Sequence, residues 1–180
     1  MIIDKSQVKR ILVITLSNVG DIILTTPVIA ALAKEFVGAR IDVMVGPRGK
    51  EVFDKDPRVF KLIIYDKHLP ISAKRRLQLK LKKLRYDLVV DLKNTVFPLL
   101  IGPKYRTAAI QSFPAHVVHS SDRHLHRLKV LGMTGPERRP FADVDVELDF
   151  LPMSYLSFMA RNKFSANSGQ WRQTNYDFTA

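Results

Sequence analysis

The sequence predicts an α/β fold, a parallel sheet covered by helices on both faces. Three observations lead there. Short apolar runs rich in Val and Ile recur along the chain without polar alternation, as strands buried on both faces require. Between them lie stretches whose apolar residues repeat near the 3.6-residue helical period. Gly38, Gly46-Pro47, Asp56-Pro57, Gly102-Pro103 and Gly135-Pro136 punctuate the alternation as turns. Strands alternating with helices build βαβ units, whose crossovers return each strand parallel to the last.

The first strand is predicted over Arg10–Leu16, where Ile11-Leu12-Val13-Ile14 is continuously apolar. A helix follows over Asp21–Phe36, with Ile22, Ile23, Val28, Ile29, Leu32, Ala33 and Phe36 on its apolar side. Pro27 removes one backbone donor inside that pattern, so the helix either kinks there or begins its regular part late. Thr25 and Thr26 stand ready to satisfy nearby carbonyls. Further strands are expected over Ile41–Val45, Phe60–Tyr65, Asp87–Leu92 and Thr107–Ile110, with a short one at Val117-Val118. Further helices are expected over Gly49–Lys55, Ser72–Arg85, Thr95–Leu100 and Asp122–Leu131.

The length of 180 residues suits one domain with a short appendix. A globular part of about 150 residues would bury roughly 68–70% of its unfolded surface, enough for its own core. That domain is placed at residues 1–150. From Pro152 the composition turns polar and loses its period, so residues 151–180 read as an irregular tail. With no cysteine, neither a disulfide framework nor a thiolate metal site can form. No apolar stretch approaches the ~20 residues that span a bilayer, and Met1-Ile2-Ile3-Asp4-Lys5 lacks the order of a secretory signal. The expected location is cytoplasmic.

Net charge is +12, from 29 basic and 17 acidic residues, a field that attracts polyanions. The excess is concentrated between Lys67 and Arg85, where no acid occurs. Within Ser72–Arg85, Leu77, Leu81 and Leu84 form one stripe and basic residues occupy the rest. Such a helix packs its leucines on the sheet and leaves its charges in water, or it lies against anionic lipid. Tyr86 alone ends the segment and no aromatic series precedes it, so nucleic acid is not an expected partner.

Ser17-Asn18-Val19-Gly20-Asp21 joins the first strand to the first helix. Loops beyond the carboxyl ends of parallel strands line the binding crevice of open α/β sheets. Asp21 there either caps the helix and complements its dipole or serves as a general base that the same dipole keeps ionised. The two roles are compatible. Gly20 permits a close backbone turn but stands alone, without a dinucleotide fingerprint or a phosphate-loop lysine. Lys93 and Asn94 follow a later strand into the same crevice; they are placed to contact an anionic sugar, or Asn94 and Thr95 only cap the next helix. His116, His119, His124 and His126 lack clean metal-ligand spacing and read as surface and turn residues, so no metal is expected.

The run RILVITLSNVGDIILTTP (Arg10–Pro27) resembles the opening of family 9 glycosyltransferases, the ADP-heptose:lipopolysaccharide heptosyltransferase group. YDLVVDLKNTVFPLLIG (Tyr86–Gly102) is similar to that family's later strand–loop–helix, and HRLKVLGM (His126–Met133) to its helix before the interdomain region. The resemblance covers roughly residues 8–150 and implies the N-terminal half of a GT-B glycosyltransferase, a Rossmann-like domain that binds the lipopolysaccharide inner core. It implies that Asp21 is the catalytic base of an inverting transfer, with Ser17, Asn18, Gly20, Lys93 and Asn94 as substrate-binding candidates. It also implies ADP-heptose as donor substrate, held by a C-terminal domain, with no separate cofactor. The acceptor's membrane anchor makes a peripheral position on the inner face of the cytoplasmic membrane part of the expectation.

A second domain of comparable size cannot come from the residues after Phe150. The expectation is therefore a truncated or frameshifted member whose Pro152–Ala180 segment is foreign to the family and which transfers nothing alone. The rival reading is a non-catalytic basic module that docks on anionic membrane or nucleic acid.

Overall fold

The apolar runs do become one parallel sheet. A computed structural model describes residues 3–16, 22, 25–107, 124 and 128. Its strands are β1 (Arg10–Thr15), β2 (Arg40–Val45), β3 (Val59–Ile64), β4 (Leu88–Asp91) and β5 (Tyr105–Arg106). The helices are α1 (Thr26–Glu35), α2 (Lys50–Phe53), α3 (Ile71–Lys83) and α4 (Phe97–Ile101). The strands lie in the order β3-β2-β1-β4-β5, every described pairing parallel. Such an order starts in the middle, runs to one edge, then returns to build the other, as in doubly wound dinucleotide-fold sheets.

Alternation of side chains divides the core in two. Ile11 and Val13 of β1 point to one face with Val28, Ile29 and Leu32 of α1 and Phe53 of α2. Leu12 and Ile14 point to the other with Leu81 of α3 and with Phe97 and Ile101 of α4. Helices therefore cover both faces, which is why the central strands carry no polar alternation. Each fully buried Leu or Ile contributes roughly 1.5–3 kcal/mol from its area alone, so these two layers dominate the stability.

Element bounds differ from expectation at informative places. α1 starts at Thr26, with Pro27 in its first turn, where a missing N–H costs nothing, and Ile22 before it is also helical. The Thr25 hydroxyl donates to the Ile22 carbonyl, the satisfying role foreseen for it. β5 lies at Tyr105–Arg106 rather than Thr107–Ile110; Thr107 follows the strand, and 108–110 lie outside the described residues. The strand expected at 117–118 and most of the helix expected over 122–131 also lie outside them. Two residues of that last segment correct the sequence reading: His124 and Leu128 are helical and buried. His124 is thus not a surface or turn histidine; its position four residues before the core residue Leu128 puts both on one helical face.

The chain divides into two units, Met1–Pro136 and Glu137–Ala180, and every described residue belongs to the first. No described helix is long and apolar enough to cross a membrane.

Candidate functional site

The sheet reverses its strand order between β1 and β4, and the crevice of a doubly wound fold opens at the carboxyl ends of that strand pair. Ile14 is in register with Asp91, and the Leu92 N–H donates to the Ile14 carbonyl at 3.0 Å. The chain therefore leaves β1 and β4 side by side at this edge. Ser17, Asn18, Gly20 and Asp21 follow β1 directly and lie outside the described residues. Thr15, the last residue of β1, is fully buried, and its hydroxyl has no hydrogen-bond partner among the described residues.

The turn after β4 is organised by a residue the sequence reading passed over. Asp91 is buried, and its carboxylate folds back along its own chain. It accepts from the Lys93 N–H at 2.9 Å, the Thr95 N–H at 2.5 Å and the Thr95 hydroxyl at 2.8 Å. The Thr107 hydroxyl, arriving from the end of β5, accepts from the Asp91 N–H at 2.9 Å. These bonds wind the turn so tightly that Asn94 adopts φ +54°, the left-handed conformation Asn tolerates better than most residues. Lys93 and Asn94 consequently stand exposed at the rim.

Capping separates the roles left open for this turn. Val96 occupies the N-cap of α4, and its own side chain makes no capping hydrogen bond. Thr95 serves the turn, its hydroxyl accepting from the Phe97 N–H at 3.4 Å as well as donating to Asp91. Asn94 is no helix cap.

Further cations share this edge. Arg48 follows β2 within the short 3-10 turn Pro47–Gly49, and Lys67 follows β3; both are exposed. Each succeeds the carboxyl end of a parallel strand, so Lys67, Arg48 and Lys93 lie along one edge of the sheet, in strand order. In the sequence Lys67 belongs to the basic run that ends at Arg85, and Arg48 stands outside any motif. Position immediately after a predicted strand was the signal that marked both. Tyr65 closes the same side, its ring edge-on to Phe97 of α4 with centroids 5.1 Å apart.

Gly49 has a separate task. A Cβ there would sit 2.4 Å from Ile22 Cδ1 and 3.1 Å from Val45 Cβ. Glycine at this point lets the residue after Asp21 seat against the end of β2.

The opposite edge carries different chemistry. Asp87 Oδ2 accepts from the Lys9 and Arg10 N–H groups at 2.9 and 3.0 Å, and Arg10 Nη1 donates to the Leu84 carbonyl at 3.1 Å. The Tyr86 hydroxyl donates to Asp42 Oδ2 at 2.7 Å, and Asp42 Oδ1, also buried, has no partner among the described residues. Burial, the bond to Asp42 and the negative charge of that carboxylate push the Tyr86 phenol well above its ordinary range, with Arg10 opposing. Among the described residues no cluster of metal-ligating side chains occurs.

The class this architecture defines is a Rossmann-like α/β domain, and several solved glycosyltransferases share that fold. A family 9 glycosyl transferase from Veillonella parvula superposes with a TM-score of 0.59 at 22% identity, covering 70% of this chain and 42% of that one. Escherichia coli ADP-heptose lps heptosyltransferase II gives 0.57 at 23% identity, with 88% and 51% covered. The E. coli heptosyltransferase WaaC, solved with ADP, gives 0.56 at 19% identity, with 72% and 50% covered. The chain thus spans about half the length of the structures it matches. No protein-family model and no curated protein sequence matches it.

Proposed function

We propose that this chain is the acceptor-binding half of a heptosyltransferase-like glycosyltransferase, working on a lipopolysaccharide inner core with an ADP-heptose donor. In this reading residues 1–150 are the acceptor domain, and residues 151–180 are an irregular tail that takes no part in it. One observation supports this above the others: β1 and β4 end side by side at the sheet's switch point, in a fold shared with heptosyltransferases.

In this reading Asp21 takes the proton of an acceptor hydroxyl as that oxygen attacks the anomeric carbon. The new C–O bond forms on the face opposite the leaving group, so configuration inverts. The bond to the nucleotide diphosphate breaks, and ADP departs with its electron pair into a second, donor-binding half. Proton transfer of this kind is typically worth 10²–10⁴-fold in rate. Ser17, Asn18 and Gly20 shape the turn around the hydroxyl. Lys93 and Asn94, held out by the Asp91 turn, meet the acidic and phosphorylated groups of the acceptor, with Arg48 and Lys67 extending that electropositive rim. The reaction belongs at the cytoplasmic face of the membrane that carries the acceptor.

Binding of purified inner-core oligosaccharide by titration calorimetry tests the reading. Selective binding, weakened by Lys93→Ala and unaffected by added ADP, is expected of the chain alone, with no transfer from ADP-heptose. When a donor-binding half is supplied, Asp21→Asn lowers transfer 10²–10⁴-fold with acceptor affinity retained. Equal affinity for unrelated anionic polysaccharides would overturn it.

A further inference from the structure

The transfer chemistry leaves α3 unused, and α3 is the most heavily charged of the described elements. It carries Lys74, Arg75, Arg76, Lys80, Lys82 and Lys83 and no acid. No carboxylate among the described residues pairs with any of them; the described ion pairs are Lys5–Glu35 and Arg58–Asp56. Arg76 and Lys80 are a like-charge pair at i, i+4, an arrangement that destabilises a helix in water. An anionic partner reverses that penalty.

Geometry narrows the partner. At 100° per residue, Arg75, Arg76, Leu79 and Lys83 lie on the arc opposite the buried Leu81, and all four are exposed. Leu79 is 49% exposed in the midst of these cations. Beside them an open groove of about 460 Å³ runs between Arg76, Lys80 and Lys83 over Ala73 and Leu77. α4 packs next to α3 on the same sheet face and turns its own apolar residues outward: Val96 is 63% and Leu99 59% exposed. Among the described residues this face thus combines cations that no carboxylate pairs with and exposed apolar side chains.

We infer that the α3–α4 face is a docking surface for an anionic lipid bilayer, with the α3 cations on lipid phosphates and Leu79, Val96 and Leu99 in the headgroup–acyl boundary. This pairing of charge with exposed apolar groups is what interfacial helices use. A nucleic acid would take the cations but leave the leucines in water, and the α3 surface has no aromatic side chain for base stacking. The inference requires no sugar chemistry and stands independently of the transferase reading.

Sedimentation of the full chain with sugar-free vesicles tests it. Phosphatidylcholine vesicles with about one-third phosphatidylglycerol should bind the chain, and pure phosphatidylcholine should not. Each surface cation is worth about fivefold in partitioning, so Arg76→Gln/Lys83→Gln should lose about 25-fold. Lys34→Gln/Lys55→Gln removes the same charge away from this face and should change partitioning by less than about twofold. Leu79→Ser should lose severalfold, and that loss should persist in salt high enough to screen the charges. Circular dichroism confirms that each variant is folded. Equal losses from the two double variants would reduce the effect to net charge and overturn the inference. So would an unaffected Leu79→Ser chain that binds duplex oligonucleotides as tightly as vesicles.

Discussion

The two ends of the sheet spend their carboxylates in opposite ways. At the amino edge, Asp87 and Asp42 reach across the chain, tying β1 to the start of β4 and β2 to Tyr86. At the carboxyl edge, Asp91 turns on its own next four residues and pushes Lys93 and Asn94 into solvent. One edge is closed by bonds between residues far apart in sequence. The other is built mainly from short local turns that display side chains, with Thr107 bonded to Asp91 across 16 residues. The contrast teaches where this fold puts stability and where it puts chemistry: long-range polar ties hold the frame, and local ones shape the surface.

The comparison breaks most readily at the two tyrosine- and aspartate-based locks. Asp91→Ala strips acceptors from two backbone N–H groups and a hydroxyl, and should cost about 1–3 kcal/mol in urea unfolding while also loosening acceptor binding. Tyr86→Phe leaves the Asp42 carboxylate without its phenol partner in the core; a similar 1–3 kcal/mol loss is expected, with acceptor binding untouched. If both variants weaken binding equally, the two edges are not separable.

Alkali sharpens the same contrast. The Tyr86 phenol is raised in the folded chain, so above about pH 10 the unfolded chain loses its proton first. The stability contributed by the protonated pair is complete below that pH and falls as pH rises beyond it. Urea midpoints measured from about pH 9 to 11 should decline more steeply for the parent chain than for Tyr86→Phe.

Smaller effects probe the carboxyl edge alone. Gly49→Ala places a methyl against Ile22 and Val45 and should cost about 1–3 kcal/mol, the lower part if the Ile22 side chain can rotate away. Asn94→Gly relieves the left-handed backbone and should be neutral within about 0.5 kcal/mol, whereas Asn94→Ala should cost about 1 kcal/mol. Thermal melts separate these two, and equal melting points would remove the strain argument for the turn.

The layered fold was legible because its signals are local. Continuous Val/Ile runs fixed β1, β2 and β4, and helical periodicity with Pro27 fixed α1 to its late start. β5 was misplaced by two residues since its core contribution, Tyr105, sits within the short polar-flanked pair Tyr105–Arg106. In the candidate site, the exposure of Lys93 and Asn94 followed from their place after a strand. The part played by Asp91 did not, because an aspartate ending a strand reads as an exposed crevice group until the turn beyond it is seen to bend back. Buried His124 and the Asp42–Tyr86 pair escaped for a related reason: partners 44 residues apart leave no pattern in a one-dimensional sequence.

The hydrogen-sized side chain at position 49 reaches further than its own contacts. Ile22 fills the vacancy, and one peptide link, about 3.8 Å between α-carbons, tethers it to Asp21. On the reading proposed above, resizing Val45 or Ile22 therefore acts on the segment that carries Asp21 while every residue assigned to the acceptor keeps its identity. A lineage with a bulkier acceptor would, on that reading, find its adjustable screw in the core.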